Sequence, residues 1–120
     1  MALKNYETVF IVNPVLSEQQ MKDTVAKFED LVKSNGGDLY HTEHWGMKKL
    51  AYPINHKNSG FYHLMEYKVD PSFVRKLEIE FRRDENIIRF LTVHLDKYAL
   101  EFSERRRQGK FNKKTEEVAS

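Results

Sequence analysis

A chain of 120 residues is the size of one compact domain with a single modest core. A hydrophobic share of 40% with eight Phe is enough to fold it, while the absence of cysteine excludes disulfide frameworks, thiolate metal sites and cysteine nucleophiles together. The formal net charge of +2 is unevenly placed: after Phe102, six Lys or Arg face three acids, a balance of +3 that leaves −1 for residues 1–102.

Basic charge that could meet phosphate is therefore gathered in the tail and in local clusters. No run approaches the ~18 uninterrupted apolar residues of a membrane helix, and the N-terminus leads straight into a strand pattern instead of a leader. A soluble, cytoplasmic protein without a membrane role is expected.

Residues 6–12, from Tyr6 to Val12, are β-branched and aromatic and end at Asn13-Pro14, a strand followed by a breaker. Ser17 stands three residues before Gln20, the spacing of a capping box, in which each side chain satisfies the other's free backbone N–H at a helix start. Met21, Val25, Phe28, Leu31 and Val32 then share one helical face, and Gly36-Gly37 closes the helix. Residues 38–44 and 59–69 read as two further strands, joined across Pro53 and a polar turn from Asn55 to Gly60, and together predict a long hairpin. Asp70-Pro71 caps and opens a second helix carrying Val74, Leu77 and Phe81, and Ile87 to Leu95 is strand-like again.

This order, β-α-β-β-α-β, predicts an α+β ferredoxin-like fold: a four-stranded antiparallel sheet with both helices on one face, spanning residues 1–97. Residues 98–120 are expected to form a basic tail that is disordered unless bound. Two helices cover only one face of such a sheet. Both faces of the third and last strands carry apolar groups, so a second apolar surface rimmed by charge is a candidate docking site, with ordinary exposed apolar surface the equal alternative.

No catalytic constellation or cofactor motif is visible. His41 and His44, three apart on an extended strand, point to opposite faces and do not make a shared metal site. Gly36-Gly37 ends a helix and lacks the Lys-Ser/Thr of a phosphate-binding loop. Neither an enzyme nor a small-molecule substrate is expected.

The informative stretch is Trp45-Gly46-Met47-Lys48-Lys49-Leu50-Ala51-Tyr52-Pro53-Ile54. Two amines beside two aromatic rings can pair with phosphate and stack on bases, and a packed strand with a solvated lysine pair explains the pattern equally well. This block resembles the W-G-x-[KR]-[KR]-L-A-Y-P-I motif of the ribosomal protein S six family at every position. Tyr6-Glu7, Asn13-Pro14, Gly36-Gly37, Gly60 with Phe61 and Tyr62, and Ile87 to Arg89 follow the same family in order and spacing, over residues 4–96.

The resemblance implies a ferredoxin-like structural protein of the small ribosomal subunit, binding the central domain of small-subunit (16S) ribosomal RNA jointly with ribosomal protein S eighteen. It implies RNA or partner contact for Lys48, Lys49, Tyr52, Arg89, Lys57 and Lys4. Tyr98, Leu100 and Phe102 are implied as partner-protein contacts, and Trp45, Gly46, Pro53 and Ile54 as architectural residues. The alternative is an RRM-like module for single-stranded RNA, although Ser59 to Glu66 lacks the initial base, the small fourth residue and the later aromatics of that signature.

Overall fold

The computed structural model describes residues 3–54 and 56–107. The elements are β1 (Lys4–Val12), α1 (Glu18–Ser34), β2 (Asp38–Ile54), β3 (Lys57–Val69), α2 (Pro71–Arg83), β4 (Ile87–His94) and α3 (Lys97–Arg107). The sheet has the order β2-β3-β1-β4 with every pairing antiparallel, so the expected ferredoxin-like topology is the one observed.

Local chemistry explains the helix ends. Ser17 Oγ accepts from the Gln20 N–H at 3.1 Å while Gln20 Oε1 accepts from the Ser17 N–H at 3.0 Å, which completes the capping box. At the other end of α1, Gly36 adopts φ +79°, and the N–H groups of Gly36 and Gly37 bond back to the carbonyls of Lys33 and Val32. Gly37 also lies so close to Val32 and Val69 that no side chain fits there. In α2, Asp70 Oδ1 accepts from the Ser72 N–H at 3.0 Å, and Pro71 occupies the first turn, where its missing N–H costs nothing.

Alternation along the strands separates two faces. Tyr6, Phe10 and Val12 of β1, with Met65 and Tyr67 of β3, turn toward α1 and α2 and meet Met21, Phe28, Val32, Leu77 and Phe81 in the core. Its centre is aromatic: Phe28 stacks on Phe81 at 4.2 Å, and Phe10 and Phe90 each lie 5.1 Å from Phe81. Burying each such ring contributes roughly 1.5 to 3 kcal/mol.

The hairpin differs from the sequence expectation. β2 runs on to Ile54, so the whole Trp45 to Ile54 block is strand, and β3 begins at Lys57. Lys48 and Lys49 pair with Gly60 and Ser59, and Ile54 pairs with Lys57, so the ladder closes much nearer the reversal than the turn composition suggests. His56 takes the left-handed conformation there, at φ +66°. The polar residues Asn58, Ser59 and Gly60 read as a turn because their composition is turn-like, yet the ladder uses their backbones and not their side chains. Pro53 is tolerated because β2 is an edge strand and the pairing register is interrupted between Lys49 and Ile54.

The C-terminal segment also departs from the expectation over its first part: Lys97–Arg107 form α3. Asp96 Oδ1 accepts from the Ala99 N–H at 2.8 Å and so caps it. Residues 108–120 lie outside the described residues.

Candidate nucleic-acid interface

The far end of the β2–β3 hairpin bends over the face of the sheet that α1 and α2 leave uncovered. There Leu50 is buried, and with Val9, Ile11, Ile54, Tyr62 and Leu91 it lines an open groove of about 380 Å³. Gly60 permits this approach, because a Cβ at that position would run into the Ile11 side chain. Arg89, paired with Ile11 across β1 and β4, donates from Nη1 to the Tyr52 hydroxyl at 3.4 Å. Two sequence-predicted residues 37 positions apart thus meet at the groove rim.

Lys48, Lys49 and Lys57 surround the same end of the sheet. Neighbouring strand positions alternate in direction, so Lys48 leaves on the groove side with Leu50 and Lys49 on the other. Both are exposed, and Lys57 is half-buried. Among the described residues none of Lys48, Lys49, Lys57 and Arg89 is ion-paired within the chain. Tyr52 is 62% exposed. Free amines, one guanidinium and an open ring can together neutralise phosphate and stack on a base.

Lys4 stands apart. It pairs with Val69 at the end of β1 away from the hairpin tip, roughly 26 Å along that strand from Val12. Tyr98 and Phe102 are exposed one turn apart on α3, at 77% and 53%, whereas Leu100 is half-buried. Trp45 serves packing: its ring stacks on Tyr62 at 6.3 Å and its Nε1–H donates to Glu43 Oε1 at 2.8 Å.

A second feature of the uncovered face is absent from the sequence reading. Glu7, Glu43 and Glu66 come from three adjacent strands, and Arg106 of α3 reaches over them. Its Nη1 lies 2.9 and 3.0 Å from the two Glu43 oxygens, and its Nη2 lies 3.5 Å from Glu66, which is fully buried. Burial alone would raise the Glu43 pKa, but hydrogen bonds from His41, Trp45 and Arg106 and the nearby guanidinium hold it down to about 2. Burial and then the neighbouring Glu66 push the Glu7 carboxyl above its usual range. Arg106 is raised: burial would lower it, and the bond and charge of Glu43 outweigh that.

This face does not suit an RRM-like module. The β3 positions on it are Tyr62, Leu64 and Glu66; the last two are 1% and 0% exposed and Tyr62 is stacked on Trp45, so β3 offers no row of open rings for bases.

Comparison with known proteins decides the family. The family model for ribosomal protein S6 matches residues 5–94. The chain belongs to the ribosomal protein S6 family. It is 54% identical over 113 residues to the small ribosomal subunit protein bS6 of Parabacteroides distasonis, covering 94% of this chain and 96% of the relative. Identity to bS6 of Flavobacterium johnsoniae is 56% over 105 residues, covering 88% and 93%. The crystal structure of 30S ribosomal protein S6 from Thermotoga maritima superposes with a TM-score of 0.77 at 29% identity, covering 88% of this chain and 98% of that one. As a member of this family the chain is a structural protein of the cytoplasmic small ribosomal subunit and not an enzyme.

Proposed function

We propose that the protein binds the central domain of small-subunit ribosomal RNA jointly with ribosomal protein S eighteen. In this reading residues 1–97 are the RNA-binding domain. Lys48, Lys49, Lys57, Tyr52 and Arg89 face RNA or the partner, Lys4 makes a separate contact at the far end of the sheet, and Tyr98, Leu100 and Phe102 face the partner protein. The observation that carries it is the gathering of unpaired cations around the exposed Tyr52 ring at the hairpin end, with Arg89 hydrogen-bonded to that tyrosine.

Residues 1–102 carry a formal charge of −1, so the body attracts RNA through local cations and not through its overall charge. A neighbour that adds contacts and charge is the physical route to tight, placed binding.

The test is RNA affinity as a function of salt, measured with and without the partner. Each lost phosphate contact should lower the slope of log affinity against log salt by about 0.7 to 0.9, so Lys48→Ala with Lys49→Ala should lower it by between about 0.7 and 1.8. An unchanged slope removes the role of these lysines. Equal affinity with and without the partner removes the joint mode.

A further inference from the structure

We propose that α3 is a detachable strap, held across the uncovered face of the sheet by the Arg106 guanidinium on Glu43 and Glu66, and that its release opens that face while the sheet stays folded. Apolar packing holds α3 far less than it holds the other two helices. Helices α1 and α2 bury Met21, Val25, Phe28, Val32, Phe73, Leu77 and Phe81, and those side chains fix them to the sheet. On α3 the large side chains Tyr98 and Phe102 are mostly exposed, Leu100 is only half-buried, and among the described residues of the helix only Ser103 is buried. A helix with so little apolar burial gains little from packing.

What does hold it is polar and local. Arg106 lies in the last turn of α3, one residue before its end at Arg107, and its Nη1 meets both oxygens of one carboxylate. That carboxylate is prepared by the sheet itself: His41 Nε2 lies 2.7 Å from Glu43 Oε2, and Trp45 donates to Oε1. The charge-assisted bond from Arg106 is among the stronger protein hydrogen bonds, and the second guanidinium nitrogen, Nη2, reaches Glu66 as well, a two-carboxylate bridge that a single lysine amine does not reproduce.

Release carries a limited penalty because the uncovered groups are ionisable. With α3 away, Glu66 and Glu7 gain water, which solvates and screens the carboxylates that the Arg106 charge offsets when the strap is in place. Opening also bares the part of this face around Glu66, beside the groove lined by Val9 and Tyr62. That the bared face and the freed Tyr98 and Phe102 serve a protein partner rests on the function proposed above. The strap itself does not.

The experiment is amide hydrogen exchange on the full chain alone, comparing the native protein with Arg106→Ala, Arg106→Lys and Glu43→Gln. Arg106→Ala and Glu43→Gln should speed exchange across residues 97–107 by at least about tenfold, the factor carried by one charge-assisted hydrogen bond, with Arg106→Lys between them and the native protein. Exchange in β1 and β3 should not change. Raising salt from about 0.1 M to about 1 M should speed exchange of α3 in the native protein and not in Arg106→Ala. The single Trp gives an independent readout, because the Trp45 indole N–H resonance should move in Arg106→Ala as Glu43 loses its guanidinium. Unchanged α3 exchange in both variants would show that packing holds the helix. An equal acceleration in β1 and β3 would show that α3 is part of the cooperative fold and not a strap.

Discussion

Replacing Tyr67 with Phe should weaken the protein at neutral pH and cease to weaken it near pH 11. Tyr67 is 0% exposed, and its hydroxyl lies 2.7 Å from Thr8 Oγ1, which continues to Thr92 Oγ1 at 2.8 Å. Burial pushes the phenol up from the usual 10.0 to about 12, although the bonds to Thr8 and Thr92 oppose it. Between those two values the unfolded chain has lost its proton and the folded chain has kept it. The folded state therefore binds more protons, and stability is lost as pH rises through this window. Two pKa units correspond to about 2.7 kcal/mol above pH 12 and about 1.4 kcal/mol at pH 11. The variant lacks this loss but forfeits one hydrogen bond of about 1 kcal/mol, or about 5 °C in melting temperature. Urea unfolding followed by circular dichroism from pH 8 to pH 11 should show the gap closing to near zero at the upper end. A gap that stays constant with pH would refute the burial argument for this hydroxyl.

Other expectations follow from the same geometry. Gly37→Ala places a Cβ 2.5 Å from Val69 Cγ1 and 2.7 Å from the Val32 carbonyl, and since the carbonyl belongs to a helix end it should cost about 1 to 3 kcal/mol in denaturant unfolding. Ser17→Ala removes one half of the capping box and should cost about 1 kcal/mol by the same measurement. The Glu43 carboxylate, depressed from 4.5 to about 2, contributes stability that is fully present above pH 4.5 and lost as pH falls toward 2. Glu7 on β1, His41 on β2, Glu66 on β3 and Arg106 on α3 face it, so α3 exchange should accelerate across that acid window in the native protein and not in Glu43→Gln.

Much of the fold was legible because local signals agree with the tertiary arrangement. Ser17 and Gln20 announce a helix start by chemistry confined to four residues, and Met21, Val25, Phe28 and Val32 mark its buried face by spacing alone. The hairpin end was less legible. Asn58, Ser59 and Gly60 have turn composition, and their strand state depends on β2 supplying partners at Lys48 and Lys49. The meeting of Tyr52 with Arg89 depends on β2 bending over the sheet, which no local spacing encodes; the family motif named both residues without revealing their contact.

The carboxylate cluster was invisible for a related reason. Alternation places His41 and Glu43 on one face of β2, but only the register sets them beside Glu66 and Glu7. Arg106 then belongs to a run of three arginines that composition assigns to a solvated tail, while the structure gives it two defined carboxylate partners, Glu43 and Glu66.

The most direct test of RNA binding by the hairpin end is site-specific photocrosslinking in assembled small subunits, with a benzophenone side chain at Tyr52 and, as a control, at the exposed Arg75 of α2. Adducts to ribosomal RNA from position 52 and none from position 75 are predicted. Adducts from position 75 alone, or none from position 52 in correctly assembled particles, would contradict it.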